Sequence, residues 1–85
     1  MKPIFHKSKR GYILNQDKTM VFTRDGWEPA IEYHLDGDGM KEILVEDYLE
    51  YINLSNFLST YSTKLKSECI RLLKDYAINK AINVL

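Results

Sequence analysis

The apolar residues of this chain change their spacing part-way along, and that change limits the folds open to it. Up to about residue 46 they alternate with polar ones, the two-residue period of a strand covered on one face. From residue 47 they recur at intervals of three and four, the period of a helix with one apolar stripe. Strands followed by helices predict an α+β chain: a small antiparallel β-meander of three or four strands packed against two C-terminal α-helices.

Within the first half, "GYILNQ" (11–16) and "TMVFTR" (19–24) flank Asp17-Lys18, which reads as a two-residue hairpin loop. Asp25-Gly26 marks a second turn. "WEPAIEYHL" (27–35) then alternates, with Trp27, Ile31, Tyr33 and Leu35 on one face and Glu28, Ala30, Glu32 and His34 on the other. This predicts a strand with Trp27 largely buried against the helices. Pro29 has no N–H for a ladder, so that strand is expected at an edge or with a bulge. "MKEILVE" (40–46) is β-rich and has no cap before it, so a fourth strand is expected there.

Between these strands lies "HLDGDGMKEILVED" (34–47), which has some of the spacing of a calcium loop. With Gly39 at the sixth position, Asp36 and Asp38 fall at the third and fifth, as such a loop requires. His34 then takes the first position, a poor ligand for a hard cation, and Val45 the twelfth, which offers no ligand. Asp-Gly pairs are strong turn signals, so a turn is expected and no metal.

In the second half, Asp47 and Glu50 match a capping box for a helix from about Tyr48 to Thr60. Leu54, Phe57, Leu58 and Tyr61 would form its apolar face. "STYST" (59–63) predicts a break, with Ser62 and Thr63 as new caps. A last helix, 64–84, carries Leu65, Cys69, Leu72, Leu73 and Tyr76 as a stripe for packing on the sheet. Ile78 and Ile82 fall on the opposite side of that helix, with Leu85 nearby. Two outward isoleucines at i, i+4 predict a contact with a partner or a homodimer through the C-terminal helix.

Eighty-five residues fit a single domain, 1–85. Residues 1–10 read as a basic, flexible arm, 11–46 as the meander and 47–85 as the helices. One cysteine cannot staple a fold, and no apolar run approaches a membrane span. The N-terminus lacks the apolar core of a secretory signal, so a cytoplasmic protein with no membrane contact is expected. Asn, Lys, Ile and Tyr are plentiful, as in A+T-rich genomes, and small proteins of this kind are often encoded by phages or mobile elements.

The net charge is zero but unevenly spread: +4 over residues 1–16, −7 over 17–50 and +3 over 51–85. No catalytic constellation stands out. Glu28, Glu32 and His34 on one strand face are better read as a solvated polar face than as paired acids. A non-enzymatic protein without cofactor is expected, a regulator, inhibitor or adaptor acting through protein–protein contacts. Glu28 and Glu32 would supply an acidic docking face, and Ile78, Ile82 and Leu85 an apolar one. The alternative is a nucleic-acid-binding regulator. In it Lys2, Lys7, Lys9 and Arg10, interleaved with Phe5 and Tyr12, would neutralise phosphates and stack. An acidic sheet opposes that reading.

Overall fold

The computed structural model describes residues 2–35, 39–55 and 59–84. It is α+β: five strands, β1 (Ile4–Lys7), β2 (Ile13–Leu14), β3 (Met20–Thr23), β4 (Gly26–Pro29) and β5 (Lys41–Leu44), followed by α1 (Val45–Ser55) and α2 (Thr60–Val84). The strands form one antiparallel sheet in the order β4-β3-β2-β1-β5. The chain divides into two compact units, Ile4–Ile43 and Met1–Pro3 with Leu44–Leu85.

The sheet has one strand more than the three or four expected, and the extra one is β1. Residues 4–7 are not part of a flexible arm. They lie between β2 and β5, with His6 opposite Leu14 and Lys7 opposite Ile13. Phe5 is fully buried, as are Ile13, Leu14 and Val21 to within 1%. A strand with neighbours on both sides satisfies its backbone groups in the ladder, which removes the freedom a terminal segment otherwise keeps. The β1–β2 connection closes through Ser8, whose hydroxyl accepts from the Tyr12 N–H at 3.0 Å.

The β2–β3 loop is longer than two residues because Asn15 organises it. The Asn15 side-chain oxygen accepts from the N–H groups of Thr19 and Met20, each at 3.0 Å, and its carbonyl accepts from Lys18 N–H at 3.1 Å. Lys18 takes the left-handed conformation, φ 66°. The second turn, expected at Asp25-Gly26, falls one residue earlier, at Arg24-Asp25. Gly26 follows it at φ 104°, a region that glycine enters at little cost.

Residues 27–35 are not one long strand. β4 ends at Pro29, and Ala30–Tyr33 is a single 3-10 turn. Pro29 pairs with Met20, and the Ala30 N–H donates to the Thr19 carbonyl at 2.9 Å, closing the ladder. The expected face of Trp27, Ile31, Tyr33 and Leu35 therefore does not exist. Ile31 is 83% exposed. Trp27 is half-buried, with its ring centroid 5.1 Å from Phe22 and 6.1 Å from Phe5. β4 is an edge strand, where Pro29 is tolerated. Strand β5 forms where "MKEILVE" predicts it. The turn predicted at Asp36-Gly37-Asp38 lies outside the described residues.

Helix α1 begins at Val45, directly after β5, so Asp47 sits in its first turn rather than at the cap. The Val45 N–H is already used: it donates to the Pro3 carbonyl at 3.0 Å. Glu46 and Asp47 still favour this end, because carboxylates near a helix N-terminus offset its partial positive charge. The covered side is Val45, Tyr48, Leu49 and Ile52. Leu54 is 78% exposed, contrary to the expected stripe, and Phe57 and Leu58 lie outside the described residues.

Helix α2 is capped by Ser59, not by Ser62 or Thr63. The Ser59 hydroxyl oxygen accepts from the Ser62 N–H at 3.1 Å and its O–H donates to the Ser62 hydroxyl at 2.9 Å. Loss of such a cap leaves an N–H unpaired. Ser59→Ala is expected to lower stability by about 1 kcal/mol, read as a lower urea midpoint at unchanged slope. An unchanged midpoint would show that the hydroxyl contributes nothing to the cap. The predicted stripe is covered: Leu65 and Cys69 are buried, and Leu72, Leu73 and Tyr76 half-buried.

Candidate functional site

Of the two residues expected to form an acidic docking face, Glu28 lies on β4 and Glu32 on the 3-10 turn that follows it, and the charges of both act on the Tyr33 phenol. Glu28 lies on β4 at one edge of the sheet, and Glu42 lies on β5 at the other. Glu32 is on the 3-10 turn and exposed, and Asp36 and Asp38 fall outside the described residues. Glu28 is also a local anchor. Hydrogen bonds from Thr23 and from Tyr33 hold its carboxyl below the usual carboxylate range. The Tyr33 hydroxyl donates to it at 2.8 Å, and this bond, with partial burial, pushes the phenol up to about 12. The Tyr33 ring meets Tyr12 edge-on at 5.6 Å. His34, expected beside Glu28 and Glu32, is in the left-handed conformation at the end of the 3-10 turn.

The cations of the alternative reading are dispersed. Lys2 donates to Glu46 at 3.0 Å, a bond that raises its pKa. Lys7 is half-buried within β1. The Lys9 stem occupies the space where a Cβ on Gly39 would sit, at a glycine held at φ 80°. Lys9 and Arg10 are exposed in the β1–β2 turn. Phe5, offered as a stacking ring, is fully buried and therefore closed to bases. Its neighbour His6 is buried too. His6 Nδ1 lies 3.2 Å from the Asn15 carbonyl, which fixes Nδ1 as the donor, and Nε2 faces Glu42 at 3.9 Å.

On α2 the outward residues are where the periodicity places them. Ile78 is 57% and Ile82 61% exposed, while Leu85 lies outside the described residues. Earlier on the same helix, Arg71 pairs with Glu68 and, at 3.1 Å, with Asp75. Beyond Asp75 the one further charged residue of the helix is Lys80, set with Asn79 between the two isoleucines. From Ala77 to Ile82 every residue is exposed.

A groove that sequence reasoning does not find opens beside the 3-10 turn. It has a volume of about 350 Å³ and is lined by Leu14, Ala30, Ile31, Leu35 and Met40 together with Lys18 and His34. The only trace in the sequence is the polar run "NQDKT", which signals a turn but not what the turn faces. Among the described residues no group of three His, Cys, Asp or Glu could hold a metal, and no helix is long and apolar enough to cross a membrane.

No known protein family matches this chain. No curated protein and no solved structure is significantly similar to it either. Function has to be argued from its own surfaces.

Proposed function

We propose that this chain is a small non-enzymatic protein of the cytoplasm, a regulator, inhibitor or adaptor, that works by protein–protein contact through the end of α2. One observation carries the reading. After Tyr76 the helix continues through Ala77–Ile82 with each residue exposed, and two of those residues are isoleucines one turn apart. Short isolated helices are marginal in water, and most helical stability in proteins comes from burying an apolar face. Helical turns that bury nothing of their own, yet present Ile78 and Ile82 at i, i+4, have the form of a helix that enters a partner's groove.

The experiment compares tagged wild type with the Ile78→Glu/Ile82→Lys variant in pull-downs from native host lysate, with and without nuclease. Both changes lie on exposed positions, so stability should move by no more than about 0.5 kcal/mol per site. A protein retained after nuclease by the wild type, and lost from the equally folded variant, is the expected result. Retention of the same proteins by both forms would overturn the use of α2. Retention of nucleic acid alone would favour Lys9 and Arg10 as the working surface. Light scattering identifies the remaining case, in which the partner is a second copy: a wild-type dimer and a folded variant monomer.

A further inference from the structure

We propose that the groove beside the 3-10 turn is a binding site for a small aliphatic carboxylate, with its chain on the apolar lining and its head group at Lys18 and His34. The lining sets the first half of this ligand's chemistry. Leu14, 1% exposed, marks the floor, and Ile31, 83% exposed, stands out into solvent as a wall. A volume of about 350 Å³ is at the small end of ligand pockets, suited to an acid of roughly eight to ten carbons rather than to a cofactor.

The two polar members set the other half. Lys18 contributes a positive charge and His34 a ring N–H, both suited to a carboxylate. Among the described residues neither is held in an ion pair. The acid beside Lys18, Asp17, is turned back onto Thr19, whose N–H donates to it at 3.1 Å; of the acids nearest His34 in sequence, Glu32 is exposed on the 3-10 turn and Asp36 lies outside the described residues. Among the described residues, Lys18 and His34 are also the non-glycine positions with positive φ, 66° and 50°. An L-residue in that region costs roughly 1–2 kcal/mol, which glycine would avoid. Both residues end tight turns in this conformation, which sets their side chains on the groove that they line.

The test follows amide shifts while octanoate, or octan-1-ol as the uncharged control, is titrated into the protein. Octanoate should perturb Lys18, Ile31, His34 and Met40 and saturate. The Lys18→Gly/His34→Gly variant removes both side-chain donors, and glycine enters the left-handed region at no steric cost. It should weaken octanoate by about tenfold or more, the loss expected for charge-assisted hydrogen bonds, and leave octanol unchanged. Ile31→Asp, at an exposed position that folding does not need, should abolish octanoate binding. Absence of localised shifts up to the solubility limit would overturn the proposal. So would equal affinity for acid and alcohol, or octanoate binding indifferent to the variants. Tighter binding of acetyl-Gly-Gly-Leu than of octanoate would replace the small acid with a protein C-terminus.

Discussion

Phe5→Ala is expected to destabilise the protein by about 3–5 kcal/mol. Phe5 is fully buried on an interior strand, and its ring lies 6.1 Å from that of Trp27. Truncation removes its apolar area and leaves a cavity that the flanking strands, fixed by their ladders, cannot close. Native proteins of any size hold only about 5–15 kcal/mol in reserve, so the variant should be largely or marginally unfolded at 37 °C. Deleting residues 1–7 should go further and abolish cooperative unfolding, because β2 and β5 would lose the strand that joins them. The measurement is thermal or urea unfolding followed by tryptophan fluorescence, since Trp27 reports on this cluster. A Phe5→Ala loss below about 1 kcal/mol would return residues 1–10 to the role of a dispensable arm.

The second large effect is alkaline and belongs to Cys69. Its thiol is fully buried on α2, and burial pushes its pKa up to about 12. In the unfolded chain the same thiol titrates near 8.5. The folded state therefore favours the protonated form. The stability this contributes is complete below about pH 8.5 and is lost as pH rises toward about 12. In that window the loss should approach about 1.4 kcal/mol per pH unit. Tyr48, also pushed up to about 12 chiefly by burial, adds the same sign of effect from about pH 10. Melting temperatures between pH 7.5 and 10 isolate the thiol: wild type should decline, and Cys69→Ala should be offset but flat. The thiolate fraction of native protein should be on the order of 10³ below that of unfolded protein, so alkylation should proceed through unfolding. Rapid stoichiometric labelling of native Cys69 would contradict both statements.

The helical stripe was legible because Leu65, Cys69, Leu72, Leu73 and Tyr76 repeat over several turns, and no other element explains that period. Strand β5 was legible from the apolar run Ile43-Leu44-Val45 with no cap before it, although Val45 itself opens α1, and the turn before Gly26 from that glycine. Strand β1 was not, because "IFHK" is four residues long and set among cations, and what makes it a strand is the two neighbours supplied by distant sequence. The alternation of 27–35 misleads because a 3-10 turn also places residues at short intervals. Only the missing N–H of Pro29 hinted at the stop. The capping box at Asp47 misleads for a different reason: the strand runs straight into α1, and the Pro3 carbonyl takes the N–H of Val45. The outward isoleucines were readable from the helical wheel. The groove was not, since Lys18 and His34 belong to separate turns and nothing in the sequence pattern signals that both line it.

The position of β1 also sets an order of events during synthesis. Its pairing with β2, and those of β2 with β3 and β3 with β4, are hairpins between successive strands and can close as soon as each strand leaves the ribosome. The pairing of β1 with β5 cannot, because β5 is the last strand made. Closing that longer loop costs roughly 2 kcal/mol more chain entropy than closing a hairpin, about three doublings of loop length. At about 5–20 residues per second, the outer edge of β1 stays open for seconds. Throughout that interval the nascent chain displays an unpaired strand edge, of the type on which aggregation begins and which chaperones shield.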